Sequence, residues 1–178
     1  MSNAHVKLLA CTTAFEGLRA GAGTFRVLVD LPARFRIGPV AFAEFSRATD
    51  LSTAGFIFWA VYGIGGAAFT GTTWWVMRRR GAARRVRALC GAAALCSVFI
   101  LVMTTQAAPL MLRVGSASND VALLSHLIEL FVRWTILRIA CADLSFCALL
   151  MALAHLAMNS REARPRDGSL PQPALSRE

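Results

Sequence analysis

The chain is poor in almost every residue type that a water-soluble domain uses on its surface. It has a single lysine (Lys7), a single tyrosine (Tyr62) and only ten acidic residues among 178. Charged residues make up 16% of the sequence, against about 25% in soluble domains, which excludes an ordinary solvated surface. There is no Cys-x-x-Cys pair, and the five cysteines, an odd number, cannot form a complete intramolecular disulfide set. No phosphate-binding glycine loop, zinc-ligand motif or nucleophile elbow is present. What remains is apolar: 56% hydrophobic residues and a mean hydropathy of +0.54. These residues run in long blocks rather than alternating stripes, as in helices that are greasy all round and lie in a bilayer. The sequence therefore predicts an all-α, polytopic membrane protein with a four-transmembrane-helix bundle.

Four spans are expected, at about residues 6–31, 51–77, 88–112 and 134–158, forming one domain over 1–158. The first contains Gly17-x-x-x-Gly21, a spacing of small residues that lets a partner helix come close, and Pro32 is expected to end it. Its charges Glu16, Arg19 and Arg26 argue against a cleaved signal peptide and for a retained helix. Residues 32–50 read as a connector, in which Val40 to Ala48 fits a short interfacial helix. Asp50 or Ser52 is placed to cap the second span. That span has no charge over 27 residues from Leu51 to Met77, with Trp59 and Tyr62 toward one end and Trp74 and Trp75 at the other, as in an aromatic belt. Asn119 or Asp120 is a cap for the helix that resumes at Val121, where Leu123, Leu124, Leu127, Ile128 and Phe131 form an apolar stripe. Residues 159–178, with three prolines and four arginines, read as a disordered cytoplasmic tail.

The net charge is +9, and a pI near 10.9 raises the question of nucleic acid. The arginines argue against it, because they gather at the ends of the apolar blocks. Six of them fall in the ten residues 78–87, which should lie in the cytoplasm against anionic lipid head groups. With Lys7 and the tail, eleven basic residues fall on that side, against five (Arg34, Arg36, Arg47, Arg113 and Arg133) on the other. Both termini are therefore expected in the cytoplasm, in a membrane of the bacterial inner or plasma type.

The residues that point to function are charges inside the expected spans. Ionisable groups at that depth are costly, face the bundle interior and find partners there. The first span holds Glu16, Arg19, Arg26 and Asp30, and the fourth holds Arg138 and Asp143. Glu16/Arg19 and Arg26/Asp30 have spacings at which helical neighbours meet, and Asp143 is expected to face Arg19 or Arg26 across the bundle. Two readings stand open. The charges are interhelical clamps, or they form with Trp134 a polar pocket between the first and fourth helices that takes a lipophilic small molecule. The candidate site is Glu16, Arg19, Arg26, Trp134, Arg138 and Asp143. No cofactor or metal is expected. Partners are the lipid bilayer, a lipophilic ligand, and a second copy or another membrane protein.

His126 and His155 are 29 residues apart, about 43 Å along a continuous helix, so one haem cannot bridge them within the chain. His126 and Glu129, three apart, form a candidate acid–base couple at the outer surface. Cys11, Cys90, Cys96, Cys141 and Cys147 all lie in apolar blocks and read as small buried residues.

Two stretches carry a family resemblance: EGLRAGAGTFRVLVDLPA at 16–33, and FVRWTILRIACADLSFCALLMAL at 131–153, in which Trp134 and Arg138 stand four apart. With four spans and a proline-turned connector, the chain from about residue 8 to 155 resembles the DUF1772 group of membrane proteins, which includes anthrone-oxygenase-like members. The matching positions are Gly21, Pro32, Trp134 and Arg138. The resemblance implies a cofactor-independent enzyme acting on a lipophilic polyketide. The charges Glu16, Arg19 and Arg26 depart from an apolar first helix. A non-catalytic subunit or accessory protein is the alternative.

Overall fold

The computed structural model describes residues 3–162, with side chains from 4 to 158. Helix α1 runs from Asn3 to Phe25, and a π-helical turn at Arg26–Asp30 carries it into α2, Leu31–Ala48. Helix α3 (Thr53–Ala60) passes through a second π-helical turn, Val61–Gly65, into α4 (Gly66–Arg79). Helix α5 spans Arg84–Ser116 and α6 spans Val121–Glu162. No strand occurs among the described residues.

Three continuous helices are long and apolar enough to cross a membrane: Thr53–Arg79, Arg84–Ser116 and Val121–Met158. The chain is thus an all-helical membrane protein. Helix α1 packs beside them, between α4 and α6, while α5 joins α4 and α6 on the other side. It is less apolar than the other three because it carries Glu16 and Arg19, yet both side chains point inward, at 0% and 3% exposure. Outward it shows Leu18 and Phe25, and the π-helical turn after it shows Leu28 and Val29.

The first helix does not stop at Pro32. Leu31 donates its N–H to the carbonyl of Arg26, an i→i−5 bond. This wider turn precedes a residue that has no N–H and whose ring crowds the carbonyl four back. Pro32 then sits in the first turn of α2, where a proline is tolerated. The real break comes six residues later. Gly38 has φ +80°, the left-handed side that favours glycine, and Pro39 follows it. The segment beyond it is helical as expected, with its apolar face turned to the protein: Phe42 and Ala43 are buried at 1% and 0% exposure. Phe35, Ile37 and Phe45 remain outside.

Capping agrees with the sequence. Ser52 accepts from the amide of Gly55 at 3.1 Å, and Asp120 accepts from Ala122 and Leu123 at 2.9 and 3.2 Å. The arginine loop is short: α4 ends at Arg79, Gly81 takes φ +67°, and α5 begins at Arg84. Arg78 and Arg79 lie over the rings of Trp74 and Trp75. Helix α6 has 42 residues, about 63 Å, twice the hydrocarbon thickness of about 30 Å. Its first turns carry Leu124, Leu127, Ile128 and Phe131 into contact with α2, and only Leu123 of the expected stripe is exposed. The helix continues to Glu162; residues 163–178, the greater part of the expected tail, lie outside the described residues.

Two apolar clusters hold the bundle. One joins Leu31, Phe42, Met111, Val114, Leu124 and Phe131 at the end away from the arginine loop. The other joins Leu9, Met77, Val86, Cys90, Leu149 and Leu156 near that loop. Between them lies a polar layer. Gly17 meets α6 closely, since a Cβ there would stand 3.0 Å from the Phe146 ring, whereas Gly21 faces open space. Cys90 is buried as expected, but Cys11 and Cys147 are exposed on the outside of the bundle. An apolar block around a cysteine shows that its surroundings are greasy; it does not say whether neighbouring helices or lipid provide them.

Candidate functional site

The buried charges form three separate arrangements. In the first, Arg19 pairs with Glu16 one turn below it on α1, as the spacing predicted. The guanidinium lies 4.7 Å from the centre of the Tyr62 ring. Gly66 leaves the space that Arg19 fills, for a Cβ there would stand 1.7 Å from Nη1. Thr12 and Thr73 bond across the same α1–α4 interface at 2.7 Å. Glu16 Oε2 and Arg19 Nε and Nη2 are buried without a hydrogen-bond partner. This pair is sealed on all sides.

In the second, Asp143 is half-buried and accepts a hydrogen bond from the Thr24 hydroxyl, with distances of 3.2 and 3.4 Å to its two oxygens. The expected arginine partner is absent, because Arg19 is held by Glu16 and Arg26 by another residue. Trp134 is part of neither arrangement; it packs against the apolar cluster beneath α2.

In the third, Arg26 does not meet Asp30. The π-helical turn between them breaks the i, i+4 register on which that pairing depends. Arg26 instead reaches Asp50, 24 residues on, in a two-point ion pair with Nη1 donating to Oδ1 at 2.6 Å and Nη2 to Oδ2. Trp59 donates its indole N–H to the same Oδ1 at 3.0 Å. Arg26 lies between two rings, 4.9 Å from Trp59 and 5.7 Å from Phe131. Of the two caps that the sequence offered for this helix, Asp50 and Ser52, it is Ser52 that caps it, and Asp50 holds Arg26.

A cavity of about 280 Å³ lies beside this ion pair, bounded by α3, the second π-helical turn, α5 and α6. Arg26, Asp50, Trp59, Arg138 and Thr104 are its polar side chains; Phe56, Ile64, Leu101 and Met111 are among its apolar ones. Of the expected site residues, it brings together Arg26 and Arg138 only. Phe56, Ile64 and Leu112 line it and are also more than half exposed on the outside of the bundle. The cavity therefore opens sideways, toward the face that meets lipid. Both π-helical turns border it, Arg26 coming from one and Gly63 and Ile64 from the other, as such turns often do at ligand sites.

Arg138 is the charged group in the cavity that has no ion-pair partner among the described residues. Its Nη1 and Nη2 make long bonds to the hydroxyls of Thr104 and Thr135, 3.3 and 3.5 Å, and its Nε is buried with no partner. The ion pairs among the described residues are Glu16–Arg19, Arg26–Asp50 and the exposed Glu129–Arg133; none includes Arg138. The last of these also engages Glu129, expected as the partner of His126, through a 2.8 Å bond to Arg133.

No protein-family model, curated protein or solved structure matches this chain. Fold and site together define its class: a small helical membrane protein with a charged, laterally open cavity.

Proposed function

We propose that the chain is a four-span bundle, with both termini and the Arg78–Arg87 loop in the cytoplasm against anionic lipid, that binds a lipophilic small molecule in the cavity between α3, α5 and α6. The observation that carries this reading is the cavity itself. It has about 280 Å³ of space, near the lower end of the ligand-pocket range of about 300–1,000 Å³. Its wall is mostly apolar with a few convergent polar groups, and its mouth faces the phase in which a lipophile is dissolved. This is the binding reading drawn from the sequence, moved from the α1–α6 interface to the other side of Arg26. An oxygenase-like activity on a lipophilic polyketide, as the DUF1772 resemblance implies, is a special case of it. The sealed Glu16–Arg19 pair favours the clamp reading for its own half of the bundle, so one chain combines both roles.

The test is photolabelling in lipid nanodiscs. Two single-chain probes carrying a diazirine, one ending in a carboxylic acid and one in an alcohol, are crosslinked and mapped by mass spectrometry. Labelling of Phe56, Ile64, Leu101 or Met111 above the level at Leu18 and Leu28 is expected for at least one probe, with loss in Ala60→Trp, which fills the cavity. Background labelling by both probes overturns the proposal.

A further inference from the structure

The cavity's charge selects the chemistry of its occupant. Arg26 is neutralised by Asp50 at two points. Arg138 has two hydroxyl contacts longer than 3.2 Å and an orphaned Nε, and faces the same space. A guanidinium is effectively always charged and carries five N–H donors in a planar fork that matches a carboxylate. A cation within the apolar part of a bilayer is costly unless something compensates it. No carboxylate of the described residues does so within 4 Å.

Resting on the binding reading above, we infer that the occupant is an acid: a single-chain lipophilic carboxylate whose head group pairs with Arg138 and whose tail runs past Leu101 and Ile64 toward the lipid. The arrangement has a second consequence. Arg26 and Asp50 stand at the end of the cavity near the start of α3, and Arg138 comes to it from α6, four residues on from Trp134. The head group is therefore drawn to Arg138 rather than to Arg26, whose charge Asp50 already neutralises. A cavity of about 280 Å³ holds one chain rather than two, which favours a free acid over a diacyl phospholipid.

The experiment measures binding of a sixteen-carbon fatty acid and of the matching alcohol to the intact protein in phosphatidylcholine nanodiscs. The acid should bind at least about tenfold more tightly, the effect of a charge-assisted hydrogen bond in a dry site. Arg138→Gln should bring the acid down to the level of the alcohol, and Arg138→Lys should retain part of the preference. Should Arg138→Gln fail to fold, the wild-type comparison decides alone. Equal binding of acid and alcohol overturns the charge selection while leaving the cavity reading intact. Binding of neither overturns the cavity reading itself. Displacement of the acid by phosphatidylglycerol at equal mole fraction overturns the assignment in favour of a membrane phospholipid.

Discussion

Arg26 and Asp50 stand 24 residues apart, on opposite sides of the α2 segment, and close on each other as a two-point ion pair at the edge of the cavity. Both side chains are about nine-tenths buried. The pair ties the π-helical turn after α1 to the start of α3, and so fixes the segment that forms one end of the cavity.

Removing one partner strands the other charge. Arg26→Gln or Asp50→Asn should destabilise the protein by about 3–5 kcal/mol, the cost of an uncompensated buried charge. The double substitution Arg26→Met/Asp50→Leu should recover much of that loss. Thermal unfolding in detergent measures both, and equal losses in single and double variants would show that the ion pair is not the source.

Gly66 should be intolerant of the smallest side chain. A Cβ there meets Arg19 Nη1 at 1.7 Å, and Arg19 is held by Glu16 and the Tyr62 ring. Gly66→Ala should cost about 1–3 kcal/mol by overpacking. Gly71→Ala, on the same helix in open space, should be neutral or stabilising by up to about 1 kcal/mol. If both behave alike in a melting experiment, the close approach of Arg19 to α4 is refuted.

Asp143 is held by a hydroxyl rather than by an arginine. An asparagine keeps an acceptor for Thr24, so Asp143→Asn should change stability by less than about 1 kcal/mol, and Thr24→Val by about 1 kcal/mol. A loss above about 3 kcal/mol for Asp143→Asn, measured in the same detergent, would mean that the carboxylate has a cationic partner after all.

The position of α1 decides between three and four spans, and the N-terminus reports it. With the five native cysteines replaced by alanine, a single cysteine at Ser2 should react with an impermeant maleimide only after permeabilisation, as should one at Arg84. One at Ser118 should react in intact cells. Reaction at position 2 from outside, with Arg84 protected, would leave α1 on the outer surface and the protein with three spans.

Much of the framework was legible in composition and order. Long apolar blocks, the arginine-rich loop and the Ser52 and Asp120 caps depend on neighbours in sequence, and burial in lipid or protein imposes them on any chain of this pattern. The helix through Pro32 was not legible. A proline signals a missing donor, but whether a π-helical turn before it relieves the crowding depends on where Arg26 must point. The candidate residues were legible as a set of buried charges, since an ionisable group in a bilayer has to be explained. Their partners were not. Glu16 and Arg19 met because their interaction is one helical turn long. Arg26 found Asp50, and Arg138 found no ion-pair partner among the described residues, because those outcomes depend on how α3, α5 and α6 pack around them. Sequence by itself determined that this protein is a helical membrane protein with charges to hide. Tertiary structure alone decided which of them are sealed in pairs and which one faces an open cavity, because the fate of a charge rests on what stands within a few ångströms of it.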